Sequence, residues 1–385
     1  MQYKPYYLKD VNKASKQNLF KVISTFAGGG GSSTGYKLAG GTILCVNEFV
    51  EEARNTYLAN YPNTKILSDD IKLLTCQDFL DIANIKKYEL DIFDGSPPCS
   101  AFSISGSRDA GWNKTKTYSD GKKVTNIEDL FFEFIRIANG IQPKIIIAEN
   151  VEGLTIGTAK SKLYEILNSF DAIGYYCVHK ILRAEHFETP TSRPRCIIVC
   201  IRKDVYDSLY ETDLQLLSLA FPKENYDCIS MFNAINDVIN NIEEVEILSN
   251  HYINSNVYKN YGINLIKNPV RVINPSNPEY ADWNPTGGYF GLKRPCPDLP
   301  CPTLLATGCQ LSGVGVLHYN EERKLTIKEL KRIMALPDDY KLTGTFNQQA
   351  ERVGRMVAPR MMKSIAENIY ENFIKPYNLI HKNNE

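Results

Sequence analysis

The sequence predicts an α/β protein: a Rossmann-like, mostly parallel sheet with helices on both faces, plus a smaller irregular domain. Three observations predict it. Short apolar, strand-like runs alternate with amphipathic helices through the first half. A glycine-rich run follows the first of these strands, at the edge where open α/β sheets bind ligands. Past Asp204 the alternation stops and the chain turns acidic, then rich in Asn, Tyr, Pro and Gly.

The elements follow in order. Lys21 to Phe26 reads as the first strand, followed by glycines and a helix. Thr42 to Val46 is a second strand and Phe49 to Tyr61 a helix. Leu90 to Phe93 and Lys144 to Ala148 read as further buried strands, as expected of a parallel sheet covered on both faces. Between them Ile127, Leu130, Phe131, Phe134 and Ile135 recur at helical spacing. Cys177 to Ala184 and Cys196 to Ile201 read as a closing antiparallel pair. Residues 206–250 carry nine acids against one base, Lys223, whereas residues 251–294 carry five bases against two acids. Thr326 to Leu336 reads as a helix. So does Pro359 to Phe373, with Met362, Ile365, Ala366, Ile369 and Phe373 on one face.

At 385 residues the chain is long enough for two domains. Its 44 basic and 44 acidic residues balance, so any nucleic-acid surface must be local. Met1 to Asp10 has no signal-peptide core, and no apolar run approaches bilayer length. The 10 cysteines form no C-x-x-C pair and the five histidines have no metal-ligand spacing. A soluble, cytoplasmic protein with free thiols and no metal is expected.

The sequence Asp94-Gly95-Ser96-Pro97-Pro98-Cys99-Ser100 presents one thiol on a stiff turn just after a strand. Two prolines have fixed φ and no N–H, so the turn continues neither as a helix nor as a central strand. Free cysteine is usually a small buried hydrophobe. Cys45, Cys196 and Cys200, in apolar runs, fit that role, whereas Cys99 is equally well read as reactive.

In Phe26-Ala27-Gly28-Gly29-Gly30-Gly31 the glycines allow a ligand close to the backbone. Glu48 follows Gly28 by 20 residues, the spacing at which an acid accepts hydrogen bonds from a ribose. Together they suggest an adenosine-containing cofactor, without separating a nicotinamide dinucleotide from S-adenosylmethionine. Glu149, ending an apolar strand, is either a capping group or an active-site acid. Arg193 and Arg195 point to one face of an extended segment stiffened by Pro194; solvation and a placed function both remain open.

Phe-Ala-Gly-x-Gly-Gly, Pro-Pro-Cys, Glu-Asn-Val and Arg-x-Arg, in that order, resemble the DNA 5-methylcytosine methyltransferases. The resemblance covers about Leu19 to Arg202 and resumes from about Pro300 to Tyr370. It includes Pro98 to Gly106, Leu130 to Glu133 and Leu336 to Tyr340. Three positions depart from the family: Ser100, Thr191 and Arg355 stand where Gln, Gln and Asn are usual.

The resemblance implies a catalytic and cofactor-binding domain at 1–204, a target-recognition domain at 205–300, and a return to the catalytic domain at 301–385. It implies Cys99 as the nucleophile that adds to cytosine C6, covalent catalysis that splits one difficult step into easier ones. The thiolate is the reactive form, so an electropositive site is expected, with Arg193 and Arg195 as candidates. Glu149 would hold the ring N3 and exocyclic amine, Arg195 would touch the base and Arg193 would support the site. The cofactor would be S-adenosylmethionine, held by Phe26, Ala27, Gly28, Gly30, Gly31, Glu48, Asp70, Ile71, Pro98, Leu130 and Arg355. The partner would be double-stranded DNA, with the target base flipped out and the loop Ser100 to Asn126 closing over it. A monomer in a prokaryotic or phage-infected cell is expected, with a restriction endonuclease acting separately.

Other readings explain less. A nicotinamide dehydrogenase gives Pro-Pro-Cys and Arg-x-Arg no role. An RNA-directed relative shares the scaffold. A catalytically dead DNA-binding regulator would have no need of Cys99, Glu149 and Arg195 together.

Overall fold

The computed structural model describes residues 1–98, 116–117, 123–124, 129–253, 293–311 and 315–382. Cys99 lies outside the described residues. So do residues 254–292 and the loop Ser100 to Asn126, apart from its two-residue strands Lys116–Thr117 and Lys123–Val124. The chain divides into two compact units: Lys9–Leu182 with Pro194–Glu224 and Met361–Glu385, and Met1–Leu8 with Arg183–Arg193 and Asn225–Arg360.

The first unit is built on seven strands: β1 (Lys21–Thr25), β2 (Thr42–Asn47), β3 (Lys65–Leu67), β4 (Ile92–Gly95), β5 (Ile145–Val151), β6 (Tyr175–Arg183) and β7 (Pro194–Arg202). Their order is β3-β2-β1-β4-β5-β7-β6. The strands from β3 to β5 run parallel; β7 is antiparallel to β5. The chain reverses between β1 and β4, so β1 leads outward to β2 and β4 inward to β5. Ligands of open α/β sheets bind at such a switch point.

The helices are α1 (Leu8–Ser15), α2 (Gly31–Leu38), α3 (Glu51–Asn60), α4 (Cys76–Ala83), α5 (Leu130–Ile141), α6 (Ala159–Ala172) and α7 (Lys203–Tyr210). Ile23, Phe93, Ile146 and Ile198 share one core cluster with apolar residues of α4, α5 and α6. Phe93 stacks on Phe134 with ring centroids 4.8 Å apart, and Phe79 meets Phe93 edge-on. Val22, Ile92, Ile145, Ile147, Ile197 and Val199, next to them along the strands, are just as buried. Both sheet faces are therefore covered, which is why these strands are apolar runs rather than alternating ones.

The second unit holds α8 (Met231–Ile235), α9 (Ile242–Ile253), α10 (Ile327–Ile333) and α11 (Phe346–Arg355). Thr191–Ser192 pairs in parallel with Cys301–Pro302. Thr326 and Glu329 form a capping box at the start of α10. Glu329 also takes both Nη atoms of the fully buried Arg323, each at 2.8 Å, which satisfies a charge that burial would otherwise penalise. The chain returns to the first unit within α12 (Pro359–Ile369) and finishes with a π-helical turn (Tyr370–Ile374) and α13 (Lys375–Lys382). No helix among the described residues is long and apolar enough to cross a membrane.

Candidate active site

The glycine-rich turn leaves β1 at Phe26, whose φ of 50° is left-handed. A bulky residue there is strained and held by its surroundings. Gly28 and Gly30 are also left-handed, which glycine accepts without strain. Gly28 N–H donates to Glu48 Oε2 at 2.7 Å, and Val50 N–H to Glu48 Oε1 at 2.7 Å. Arg54 Nη1 donates to the Glu48 and Phe49 carbonyls at 3.2 and 2.6 Å. The carboxylate is thus oriented before any ligand arrives.

A carboxylate has about four acceptor sites, so two backbone bonds leave room for the hydroxyls of a ribose. A Cβ built at Gly28 would meet no heavy atom within 4 Å. Open space therefore borders a buried acid, which fits an adenosine-containing cofactor. Asn47 Nδ2 donates to the Leu67 and Asp69 carbonyls, each at 3.0 Å, and so shapes the next turn. There Asp70 is half-buried and accepts from Lys72 N–H at 3.1 Å, while Asp69 is exposed. Ile71 and Leu130 are buried and Pro98 half-buried.

The turn towards Cys99 is anchored at its base. Thr25 Oγ1 donates to the Asp94 carbonyl at 3.1 Å and Asn150 Nδ2 to the Pro97 carbonyl at 3.2 Å. Gly95 is required there, because a Cβ would fall 2.6 Å from both the Phe134 ring and Thr25 Oγ1. Cys45, Cys196 and Cys200 are buried thiols. Burial pushes the first two up to about 12 and Cys200 well above its ordinary value, which keeps them protonated and unreactive.

Glu149 lies near the end of β5, and Arg195 near the start of β7 beside it. Arg195 Nε lies 2.7 Å from Glu149 Oε1, with both side chains largely buried. Burial pulls the Arg195 guanidinium below its ordinary value, against the attraction of Glu149; it remains a cation.

Arg193 belongs to the other unit. Its guanidinium donates to the carbonyls of Leu304, Gly354 and Met356 at 2.9–3.0 Å, and its N–H donates to Glu185 Oε2. Gly354 has to be glycine, since a Cβ would fall 2.7 Å from the Ala306 backbone. Arg355, next to it, pairs with Glu351 at 2.8 Å along α11 and is about one-third exposed. The structure thus brings together Gly28 with Glu48, Glu149 with Arg195, and Arg193 with the Gly354 segment.

Sequence reasoning missed the roles of Asn47, Asn150 and Asp94. A polar residue closing an apolar strand was their only signal. Among the described residues no group of three His, Cys, Asp or Glu is placed to hold a metal ion.

The family model for C-5 cytosine-specific DNA methylases matches residues 20–371. Similar curated proteins include the type II methyltransferase M1.HphI of Haemophilus parahaemolyticus, 27% identical over 90% of this chain and 86% of its own. M.PspPI of a Psychrobacter strain is 28% identical over 91% of this chain and 79% of its own. Among solved structures, the S. pombe Dnmt2 methyltransferase superposes with a TM-score of 0.59 at 16% identity, covering 93% of this chain and 99% of that one. A methyltransferase encoded in an E. coli prophage reaches 0.65 at 20% identity, covering 92% and 99%.

Proposed function

The chain belongs to the C-5 cytosine-specific DNA methylase family, and we propose that it methylates C5 of cytosine within a specific double-stranded DNA sequence. The observation that carries this reading is the Glu149–Arg195 pair at the sheet edge from which Asp94 to Pro98 lead towards Cys99. Cys99 adds as a thiolate to C6, which turns an unreactive ring into an enamine-like nucleophile at C5. Glu149, steered by Arg195, holds N3 and the exocyclic amine of a base flipped out of the duplex. Loss of the C5 proton then expels Cys99.

S-adenosylmethionine bound at the glycine turn would supply the methyl group to C5, its sulfonium S–CH3 bond breaking to leave S-adenosylhomocysteine before the C5 proton is lost. Phe26, Ala27, Gly28, Gly30, Gly31, Glu48, Asp70, Ile71, Pro98 and Leu130 would hold it, with Arg355 as a further contact that must first release Glu351. Arg193 supports the site, the role that the family pattern gives it. Residues 205–300 read the DNA sequence, and the loop Ser100 to Asn126 closes over the base.

DNA carrying 5-fluorocytosine tests the covalent step, since fluorine cannot leave as a proton does. The wild-type protein should form a complex that survives denaturant, and Cys99→Ala should form none and methylate nothing. Methylation by Cys99→Ala near the wild-type rate would remove Cys99 from the reaction.

A further inference from the structure

Asp94 is a buried carboxylate that the methyl-transfer chemistry does not use. Its Oδ2 accepts from Ser24 Oγ at 2.6 Å and from Ser32 Oγ at 3.0 Å, and its Oδ1 accepts from Tyr36 Oη at 2.9 Å. Asp94, Ser32 and Tyr36 are all buried. Ser24 lies directly opposite Asp94 in the β1–β4 register. Ser32 and Tyr36 stand at i and i+4 on one face of α2.

A buried carboxylate is costly unless it is fully hydrogen-bonded. Here three hydroxyls from two other elements converge on it. Burial and the neighbouring carboxylate push the Tyr36 hydroxyl well above its ordinary value, so it stays a donor. The elements joined are those that matter to the site. α2 begins at the last glycine of the turn beside Glu48, β1 leads into that turn, and β4 leads into Pro97-Pro98-Cys99.

We propose that Asp94 is a positioning residue, fixing the start of α2, and with it the Gly28 to Gly31 turn, against the strand that carries the nucleophile. The proposal rests on the reading of Gly28 and Glu48 as a cofactor site. Without these bonds α2 loses its polar attachment to β4, and the Gly28 N–H no longer meets Glu48 in a fixed geometry. Displacements well under 1 Å matter in such shells.

Calorimetric binding of S-adenosylhomocysteine to the full-length, DNA-free protein tests it. Ser32→Ala and Tyr36→Phe should each weaken binding about three- to tenfold, and Asp94→Ala roughly tenfold or more. Asp94→Asn should stay within about threefold, because the isosteric amide still accepts from the serines and can donate to Tyr36. Tyr175→Phe is the control: it removes a buried hydroxyl bond of the same unit, Tyr175 Oη to the Pro143 carbonyl at 2.7 Å. It should lower thermal stability and leave binding unchanged.

Wild-type affinity in both Ser32→Ala and Tyr36→Phe overturns the proposal even if Asp94→Ala fails to fold. Equal weakening by Tyr175→Phe also overturns it, since the effect would then be general destabilisation. Failure of the wild-type protein to bind refutes the cofactor reading itself.

Discussion

Arg195 and Glu149 form a diagonal cross-strand ion pair: Arg195 stands opposite Val151, two residues past Glu149 on the same face of β5. An acid so held cannot choose another rotamer without abandoning a buried cation. Removing one member of a buried pair leaves the other uncompensated, at about 3–5 kcal/mol. Arg195→Ala should therefore destabilise the sheet unit by roughly that amount in urea unfolding and slow single-turnover methylation at least a hundredfold. Glu149→Gln should abolish turnover with a smaller loss of stability. Turnover within tenfold of wild type in Arg195→Ala would show that Glu149 orients itself.

Arg193 makes a different prediction, because its guanidinium binds three backbone carbonyls rather than a side chain. A hydrogen bond from a charged donor contributes about 1.5–3 kcal/mol. Arg193→Ala should speed amide exchange in the segment Gly354 to Met356 by about a hundredfold. Arg193→Lys should rescue little, since an ammonium lacks the planar fork that reaches several carbonyls at once. Unchanged exchange there would assign Arg193 directly to the substrate.

Asp94 gives the protein an unusual response to acid. Burial pushes its carboxyl up from the ordinary 3.8 to about 6, against the hydroxyl bonds of Ser24, Tyr36 and Ser32, with the Glu149 charge adding a smaller upward push. A carboxyl whose folded pKa exceeds its unfolded one is held more tightly by the native state when protonated. Its contribution is fully favourable below about 4 and is lost as pH rises through about 6. Two units correspond to about 3 kcal/mol. The stability difference between Asp94→Asn and wild type should therefore shift in favour of the variant by about 2 kcal/mol from pH 4.5 to pH 7.5. Parallel stability curves for the two proteins would contradict this.

Sequence specificity should move with residues 205–300. Lysines on phosphate set affinity and its salt dependence, whereas side chains on base edges set the motif. Grafting this segment from a relative with another target should yield an enzyme that methylates the donor's sequence, read by bisulfite sequencing. An active chimera that keeps the original motif would place recognition elsewhere.

The sheet was legible because its strands carry short, mainly apolar runs bounded by glycine, proline or charge. Lys21 to Phe26 and Thr42 to Val46 match β1 and β2 to within a residue. The ends of β5 and β7 were not legible. Val151 lies between Asn150 and Glu152 and Arg195 follows Pro194, and the two join the ladder as each other's partner. The glycine turn and Glu48 could be paired from their spacing, and the structure joins them by one hydrogen bond. Asp94 could not be read, because Ser24, Ser32 and Tyr36 lie 58 to 70 residues away in sequence. Arg193 was equally hidden, with partners 111 to 163 residues further along the chain.

The unit that holds the sheet is assembled from three stretches of chain, the last starting at Met361. Every strand of the sheet is complete by Arg202, yet the same unit also buries Phe373 and Ile374, which are synthesised only after the other unit has been made. Phe373 stacks near Tyr206 and Tyr370 packs on Phe20. While the intervening residues are being synthesised, those early aromatic surfaces have no cover. At a translation rate of roughly 5–20 residues per second the exposure lasts for seconds, long enough for a chaperone to bind or for a neighbouring nascent chain to stick. The helices that follow Met361 thus act as a seal that reaches the sheet unit only after the intervening residues have been made.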